Sequence, residues 1–209
     1  MFPALYAILD AAFLPIPPAE FALNLADAGV ELIQLRDKRA VPRKMHADAS
    51  ELVAQLSPRG VRVVVNDRPD IAAMVGAGGV HVGQEDLPVD AARRICGSSC
   101  WVGISTHNLE QFHDANRTSA DYIAVGPIFP TAAKENPDPV VGIEFVRTVR
   151  RLTSKPVVAI GGITVESAAE VFRAGADSVA VIRDLLSAPD PAGRAREYLE
   201  IAARHKVSM

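Results

Sequence analysis

The segment VVAIGGITVESAAEVFRAGADSVAV, residues 157–181, contains one complete strand–helix–strand unit. Its two apolar runs, Val157–Ile160 and Ser178–Val181, are too short for helices and are rich in β-branched residues, which favours strands. The stretch between them begins at Thr164–Ser167, half of a capping box, and ends at Ala174–Asp177, whose glycine favours a helix end. Apolar strands joined by a helix are typical of a parallel sheet covered on both faces.

The same unit recurs along the chain. Stretches with helical spacing lie at Glu20–Ala28, Met45–Leu56 and Glu144–Leu152, and Gly29 is placed to end the first of them. Eight strands are predicted, at Leu5–Leu9, Leu32–Leu35, Val61–Val65, Gly79–Val82, Trp101–Ile104, Tyr122–Val125, Val157–Ile160 and Ser178–Val181. Eight strands that alternate with helices predict an α/β protein, a (β/α)8 TIM barrel formed by residues 1–209 as a single domain. A doubly wound open sheet is the alternative.

Composition excludes several functional classes. The 209 residues are 49% hydrophobic and 22% charged with a formal net charge of −3, so the chain is long enough for one core and has no basic excess for nucleic acid. Charged residues interrupt each apolar run before it could span a membrane, and no basic region of a secretory signal opens the chain. Cys96 and Cys100 match no disulfide, redox or zinc pattern, which favours a cytoplasmic protein. A homo-oligomer remains open.

Polar residues follow the predicted strands. In a (β/α)8 barrel the active site lies at the carboxyl ends of the strands, so these residues are expected to lie together. Period-two alternation separates Gln34 and Arg36 from Leu35, and with Leu35 toward the helices both polar side chains face the barrel mouth. The other strand ends carry Asn66, Asp67 and Arg68; His81 and Asp86; Ser105 and His107; Thr131 and Lys134; Gly161 and Gly162; and Ile182 and Arg183.

Two kinds of charge are concentrated at these ends. Arg36, Lys38 and Lys134 have the charge to neutralise a polyanion such as pyrophosphate, Arg through paired donors and Lys as a point charge. Asp67 and Asp86 supply hard oxygen ligands suited to a Mg²⁺ that also takes phosphate oxygens. These residues predict a site for a phosphorylated substrate and Mg²⁺.

The glycine pair Gly161-Gly162 precedes a helix, so a phosphate could approach backbone N–H groups there without a Cβ in the way. The end of the eighth strand is the usual partner of such a phosphate site in barrels. Lys155 lies before a strand, at the wrong end of the barrel for a catalytic lysine.

Each residue also has a purely structural interpretation. Arg36 and Lys38, taken singly, are ordinary surface charges, and Asp67 suits a turn before Arg68-Pro69. His81 suits a hydrogen-bonded core group, and His107 suits an acid or base, or a cap of the next helix. The joint placement of these residues at strand ends is what favours a functional site.

Seven phrases of the chain recur together, in this order, in one known family. They are QLRDK (34–38), ND (66–67), GVHVGQEDLP (79–88), GISTH (103–107), ADYIAVGPIFPT (120–131) with Lys134, VVAIGGI (157–163) and AGADSVAV (174–181). By these phrases the chain resembles the thiamine-phosphate synthases, also called thiamine-phosphate pyrophosphorylases. The resemblance implies a (β/α)8 barrel that couples 4-amino-2-methyl-5-hydroxymethylpyrimidine diphosphate with hydroxyethylthiazole phosphate, giving thiamine phosphate and pyrophosphate.

The resemblance also implies roles for individual residues. The pyrimidine diphosphate would be held by Gln34, Arg36, Lys38, Asn66, Ser105 and Lys134, of which Arg36, Lys38, Ser105 and Lys134 would be catalytic. Mg²⁺ would be bound by Asp67 and Asp86. The thiazole phosphate would be held by Thr131, Gly162, Ile182 and Arg183.

The chain departs from the family pattern at two positions, both on the thiazole-phosphate side. Ala133 stands where the family usually has a threonine, and Arg183 stands where the eighth strand usually ends in a serine. Arg183 would either replace the lost hydroxyl contacts with a charged one or block the pocket.

Three rival functions are open. A thiazole tautomerase shares the barrel, but the cationic and Mg²⁺ residues of a diphosphate site are present, and Pro127 stands where a proton-transferring histidine is expected. A non-catalytic phosphate-sensing barrel would bind the ligands without releasing pyrophosphate. A Schiff-base aldolase would need Lys134 or Lys155, and neither is placed in a buried strand that would lower its pKa.

Overall fold

The computed structural model describes residues 1–131 and 138–207. Eight parallel strands close into a barrel in sequence order, each hydrogen-bonded to the next and the last to the first. This confirms the predicted (β/α)8 TIM barrel and excludes the open sheet. The strands are β1 (Leu5–Asp10), β2 (Leu32–Arg36), β3 (Arg62–Asn66), β4 (Gly79–Val82), β5 (Trp101–Thr106), β6 (Tyr122–Val125), β7 (Val157–Ile160) and β8 (Ser178–Val181).

Helices surround the barrel. They are α1 (Pro18–Asp27), α2 (Pro42–Leu56), α3 (Pro69–Val75), α4 (Val89–Cys96), α5 (Leu109–Arg117), α6 (Ile143–Arg150), α7 (Val165–Arg173), the short α8 (Arg183–Leu186) and α9 (Pro191–Val207), with a 3-10 turn at Ser57–Arg59. At the start of α7, the Thr164 N–H donates to Ser167 Oγ at 3.0 Å as part of a capping box, which the sequence only half-fits. None of the helices in the described residues is long and apolar enough to cross a membrane.

Alternation along each strand divides the core into two layers. Outward residues such as Leu35 and Val65 pack under the helices in the larger apolar cluster. A second cluster fills the barrel interior and includes Tyr6, Leu32 and Tyr122. Because the interior is filled with side chains, it is a packed core, and ligands have room at its end.

The amino end of the barrel is closed by stacked rings. The Phe2 ring lies 5.2 Å from the Trp101 ring, and the Arg62 guanidinium lies 3.8 Å above the same indole. Arg62 also donates to the Gly78 carbonyl at 2.8 Å, which fixes the guanidinium in place. This end is therefore stabilised by packing and cation–π contact, and the polar groups gather at the carboxyl end.

Candidate active site

A cavity of about 1260 Å³ occupies the carboxyl end of the barrel, and we call it the large cavity. Most of the polar residues predicted from the strand ends line it. They are Gln34, Arg36, Lys38, Asn66, Asp67, His81, Asp86, Ser105 and His107. Leu35 faces the helices instead, so the predicted alternation of β2 is confirmed. Parallel strands that end at one rim explain why residues so distant in sequence share this space.

Arg36 is paired with a residue that the sequence analysis did not single out. Its guanidinium forms an ion pair with Asp10 on β1, and β1 and β2 pair so that Asp10 lies opposite Arg36. Asp10 is 2% exposed and also accepts a hydrogen bond from the Ala12 N–H at 3.0 Å. A buried carboxylate compensated by one arginine holds that arginine in a fixed place. Asp10 directly follows the first apolar run, so the strand-end rule applied to β1 would have found it.

Two carboxylates meet at the ends of β3 and β4. The Asp67 and Asp86 side chains lie within hydrogen-bonding reach of each other, and Lys38 Nζ lies 3.1 Å from Asp67 Oδ2. Burial raises the pKa of Asp67, and the neighbouring Asp86 carboxylate raises it further, while Lys38 opposes the rise. Asp86 Oδ2 also accepts from the Gly83 N–H at 2.7 Å. Two crowded carboxylates are the donor chemistry that a hard divalent cation requires.

Asp67 also has an unusual backbone. Its φ is +60°, and among the described residues Asp67 is the only non-glycine with a positive φ. Its N–H donates to the His81 carbonyl at 2.8 Å, which ties it to the neighbouring strand. The Asp67 carboxylate is thus carried on a turn in the left-handed conformation, which non-glycine residues rarely adopt.

A buried chain of hydrogen bonds crosses the barrel beneath the large cavity. Gln34 Nε2 donates to Tyr6 Oη at 2.6 Å, and the Tyr6 and Tyr122 hydroxyl oxygens are 2.9 Å apart. The His81 ring lies 3.0 Å from Tyr122 Oη through Nδ1 and 2.8 Å from Ser105 Oγ through Nε2. His81 is therefore the hydrogen-bonded core histidine that one interpretation of the sequence expected.

A second cavity of about 310 Å³, the small cavity, lies between the ends of β6, β7 and β8. Its lining includes all four residues that were predicted to bind the thiazole phosphate, namely Thr131, Gly162, Ile182 and Arg183. Lys134 and Ala133 lie outside the described residues. The two cavities share a wall that includes Ser105, His107, Asp138, Ile160 and Ile182. Two anionic groups bound one in each cavity would therefore be neighbours.

Both glycines of the Gly161-Gly162 pair have positive φ, +96° and +65°. A Cβ on Gly161 would lie 2.5 Å from Pro127 Cβ, and one on Gly162 would lie 2.5 Å from the Pro130 carbonyl oxygen. The pair therefore lets the end of β7 pack against the segment that follows β6. The two glycines were predicted to expose backbone N–H groups to a phosphate, and packing requires glycine at the same two positions.

Arg183 begins α8, and its guanidinium lies 5.4 Å from the centre of the Phe13 ring. Phe13 follows β1 and lines the large cavity, whereas Arg183 lines the small one. The cation–π contact holds the arginine at the boundary between them. Arg183 therefore lies in the wall of the small cavity, and the Phe13 contact was not predictable from either residue alone.

His107 is fixed in the shared wall. Its Nδ1 donates to the Gly126 carbonyl at 2.6 Å, and its Nε2 lies 3.4 Å from Asp138 Oδ2. It does not cap the next helix, since the side chain of Asn108 accepts from the Gln111 N–H at 2.9 Å as the N-cap of α5. The helix-cap interpretation of His107 is therefore wrong, because Asn108 is one residue closer and has the required carbonyl oxygen.

Fold and site together define a (β/α)8-barrel protein with two adjoining cavities, one of which carries paired carboxylates, at the carboxyl ends of its strands. The chain belongs to the thiamine monophosphate synthase family, whose model matches residues 5–185. It is 51% identical over 204 residues to a thiamine-phosphate synthase of Koribacter versatilis, covering 95% of each chain.

Two further relatives support the assignment. A thiamine-phosphate synthase of Methanospirillum hungatei is 38% identical over 198 residues, which cover 94% of this chain and 96% of the relative. The solved structure of a thiamine phosphate pyrophosphorylase from Pyrococcus furiosus superposes with a TM-score of 0.88 at 33% identity, covering 97% of this chain and 96% of that one. The family that the seven sequence phrases indicated is thus confirmed.

Proposed function

We propose that the protein is a thiamine-phosphate synthase. It joins 4-amino-2-methyl-5-hydroxymethylpyrimidine diphosphate, the donor, to hydroxyethylthiazole phosphate, the acceptor. The bond between the donor methylene carbon and the diphosphate oxygen breaks, and the acceptor nitrogen forms a new bond to that carbon. The products are thiamine phosphate and pyrophosphate. The observation that carries the proposal is the pair of adjoining cavities, with paired carboxylates and cations in the large one.

The large cavity suits the donor. Arg36, held by Asp10, and Lys38, close to Asp67, present positive charge where a diphosphate would lie. Gln34, Asn66 and Ser105 are expected to contact the donor, and Lys134 completes the proposed set from outside the described residues. Because negative charge accumulates on the leaving diphosphate, fixed cations lower the barrier without a general base.

The carboxylate pair suits a divalent cation. Asp67 and Asp86 would hold Mg²⁺, which would supply positive charge to the leaving diphosphate. The described residues contain no group of three or more His, Cys, Asp or Glu side chains that could hold a metal alone. Diphosphate oxygens and water would therefore supply the remaining ligands, as is usual for Mg²⁺ in phosphoryl sites.

The small cavity suits the acceptor. Thr131, Gly162, Ile182 and Arg183 surround a space in which a phosphate monoester would lie. The shared wall would bring the thiazole nitrogen toward the donor carbon, and holding two reactants in contact is itself a large part of such catalysis. We infer that the enzyme acts on small molecules and is cytoplasmic, which is consistent with its free cysteines. A homo-oligomer stays a prediction.

Pyrophosphate release from purified protein tests the proposal. Donor, acceptor and Mg²⁺ are each omitted in turn, and thiamine phosphate is identified by mass spectrometry. We expect release that needs all three components and equals the thiamine phosphate formed. Release without acceptor would mean that only the ionising half-reaction survives. The absence of any release would contradict the proposed function.

A further inference from the structure

The buried hydrogen-bond chain Gln34–Tyr6–Tyr122–His81–Ser105 joins two residues proposed to bind the donor, yet its three middle members have no assigned role. Tyr6 and Tyr122 are each at most 1% exposed, and His81 is 7% exposed. Burial raises the pKa of both tyrosine hydroxyls well above the usual value, so both keep their hydrogens. Each tyrosine is therefore a neutral hydroxyl with one hydrogen to donate, and this constrains the direction of the chain.

The Gln34 amide nitrogen fixes the direction, because it can only donate. Tyr6 Oη accepts from it, so the Tyr6 hydrogen is directed to Tyr122 Oη. The Tyr122 hydrogen then goes to Nδ1 of His81. A neutral imidazole that accepts at Nδ1 carries its hydrogen on Nε2 and donates it to Ser105 Oγ. The Ser105 hydrogen is left for a group outside the chain.

The opposite direction leaves a buried donor without an acceptor. Tyr6 Oη would then accept from both Gln34 and Tyr122. Among the hydrogen bonds of the described residues, none would take the hydrogen of Tyr6. An unsatisfied buried hydroxyl is costly, so the direction from Gln34 to Ser105 is favoured.

Gly103 is a second observation that points to the same chain. In the strand register, Gly103 lies between His81 on β4 and Tyr122 on β6. A Cβ on Gly103 would lie 2.0 Å from Tyr122 Cζ and 2.4 Å from Tyr122 Oη. The missing side chain on the middle strand is what lets the Tyr122 hydroxyl reach His81 two strands away.

We propose that Tyr6, Tyr122 and His81 are positioning residues that hold Ser105 as an acceptor from His81 and so direct the Ser105 hydrogen into the large cavity, toward the diphosphate oxygens of the donor. The inference rests on the proposed donor role of Ser105. It adds a defined histidine tautomer, with hydrogen on Nε2, and a role for the glycine of the GISTH phrase.

Nuclear magnetic resonance of ¹⁵N-labelled histidine rings tests the tautomer on the full chain without any activity measurement. The His81 signals are assigned by their loss in His81→Gln, which leaves the four other histidines. We expect Nε2 to carry hydrogen and Nδ1 to be an acceptor in the wild-type protein at neutral pH. A ring with hydrogen on Nδ1, or on both nitrogens, would overturn the proposal whether or not the protein makes thiamine phosphate.

Two variants interrupt the chain without touching the proposed substrate contacts. Tyr122→Phe removes the hydroxyl that bonds His81, and Gly103→Ala displaces the same hydroxyl. We expect either to mix the His81 tautomers and to lower kcat about tenfold, with the acceptor KM unchanged. The added Cβ of Gly103→Ala could prevent folding. Tyr122→Phe keeps the packed ring, so it tests the proposal even if Gly103→Ala is insoluble.

Tyr198→Phe is the matched control for loss of a buried tyrosine hydroxyl, since Tyr198 Oη donates to Asp184 at 2.7 Å, away from the chain. We expect it to lower stability and to leave the His81 ring spectrum as in the wild type. If Tyr122→Phe retains the wild-type tautomer and the wild-type kcat, Ser105 is oriented by some other contact and the proposal fails. Loss of kcat in Tyr122→Phe with a single unchanged tautomer would equally contradict it.

Discussion

The large and small cavities share one wall, but their linings would accommodate an anion by different means. In the large cavity the cations are already paired with carboxylates, Arg36 with Asp10 and Lys38 with Asp67. In the small cavity the lining includes glycine backbone with positive φ and the Phe13-held guanidinium of Arg183. Paired charges can be buried at tolerable cost before a ligand arrives, whereas a backbone site needs no compensating charge. Charge substitutions should therefore affect the donor most, and backbone substitutions the acceptor.

The largest effect is expected from the carboxylate pair of the large cavity. Asp67→Asn or Asp86→Asn should lower kcat/KM for the donor by about 1000-fold, a magnitude typical of lost transition-state charge stabilisation. The Mg²⁺-dependent rise in melting temperature should disappear at the same time. Steady-state kinetics and thermal melts with and without Mg²⁺ measure both. Asp114→Asn, at an exposed carboxylate paired with Arg117 on α5, is the control.

Asp67→Asn also tests the carboxylate pair through the free energy of unfolding. Because burial and Asp86 raise the pKa of Asp67, ionisation of Asp67 destabilises the folded state, and this cost grows as pH rises from the unfolded to the folded pKa. Without Mg²⁺, Asp67→Asn should therefore be at least as stable as the wild type at neutral pH, and asparagine tolerates the positive φ. Lower stability than the wild type at pH 7 would show that the ion pair with Lys38 outweighs the crowding.

The next largest effect is expected at Arg36. Arg36→Lys keeps a charge beside Asp10 but loses the paired donors, so kcat/KM for the donor should fall about 100-fold while the fold persists. Arg36→Ala should also lose about 3 kcal/mol of stability, because Asp10 stays buried without a charged partner. Denaturant melts of Arg36→Ala against Asp10→Asn/Arg36→Ala separate the two effects. Equal stability of these two proteins would mean that Asp10 does not depend on Arg36.

A smaller effect, on the acceptor and not on the donor, is expected from Gly162→Ala in the small cavity. The added Cβ would collide with the Pro130 carbonyl at a positive φ, so we expect a loss of about 1–3 kcal/mol. The acceptor KM should rise about tenfold, since the phosphate loses its approach to the backbone, while the donor KM stays unchanged. Denaturation curves and two-substrate kinetics measure this. A rise confined to the donor KM would reverse the assignment of the cavities.

The smallest effect is expected from Arg183→Ser, which restores the residue usual in the family. If Arg183 contacts the acceptor phosphate, the acceptor KM should rise about three- to tenfold, because one charge-assisted contact is lost. If it narrows the pocket, the acceptor KM should fall instead. Initial rates at saturating donor decide between these results. Arg173→Ser, at a residue on the surface of α7, should leave both KM values as they are.

Much of this arrangement was predictable from sequence for a simple reason. Parallel strands of a barrel end at one rim, so polar residues after apolar runs had to meet, and alternation was enough to turn Gln34 and Arg36 inward. The same rule would have found Asp10. It could not find that Asp10 is the partner of Arg36, since that depends on the register between β1 and β2.

Other features depend on contacts between distant parts of the chain. The hydroxyl bond between Tyr6 and Tyr122 joins residues 116 positions apart, and both look like ordinary strand residues in the sequence. Gly103 looks like a flexible position until Tyr122 is placed beside it. Arg183 and Phe13 meet because β8 closes the barrel against β1. The sequence predicts which residues face inward, and it is silent about which inward residues touch.

By itself, the sequence determined the barrel, the end of the barrel that carries the site, and the family. These follow from local periodicity and from short phrases, which are properties of neighbouring residues. Only the tertiary structure decided the ion pairs of the large cavity, the partners in the buried hydrogen-bond chain and the wall shared by the two cavities. Those depend on strand register and barrel closure, because hydrogen bonds and ion pairs form only between groups brought within about 3 Å of each other.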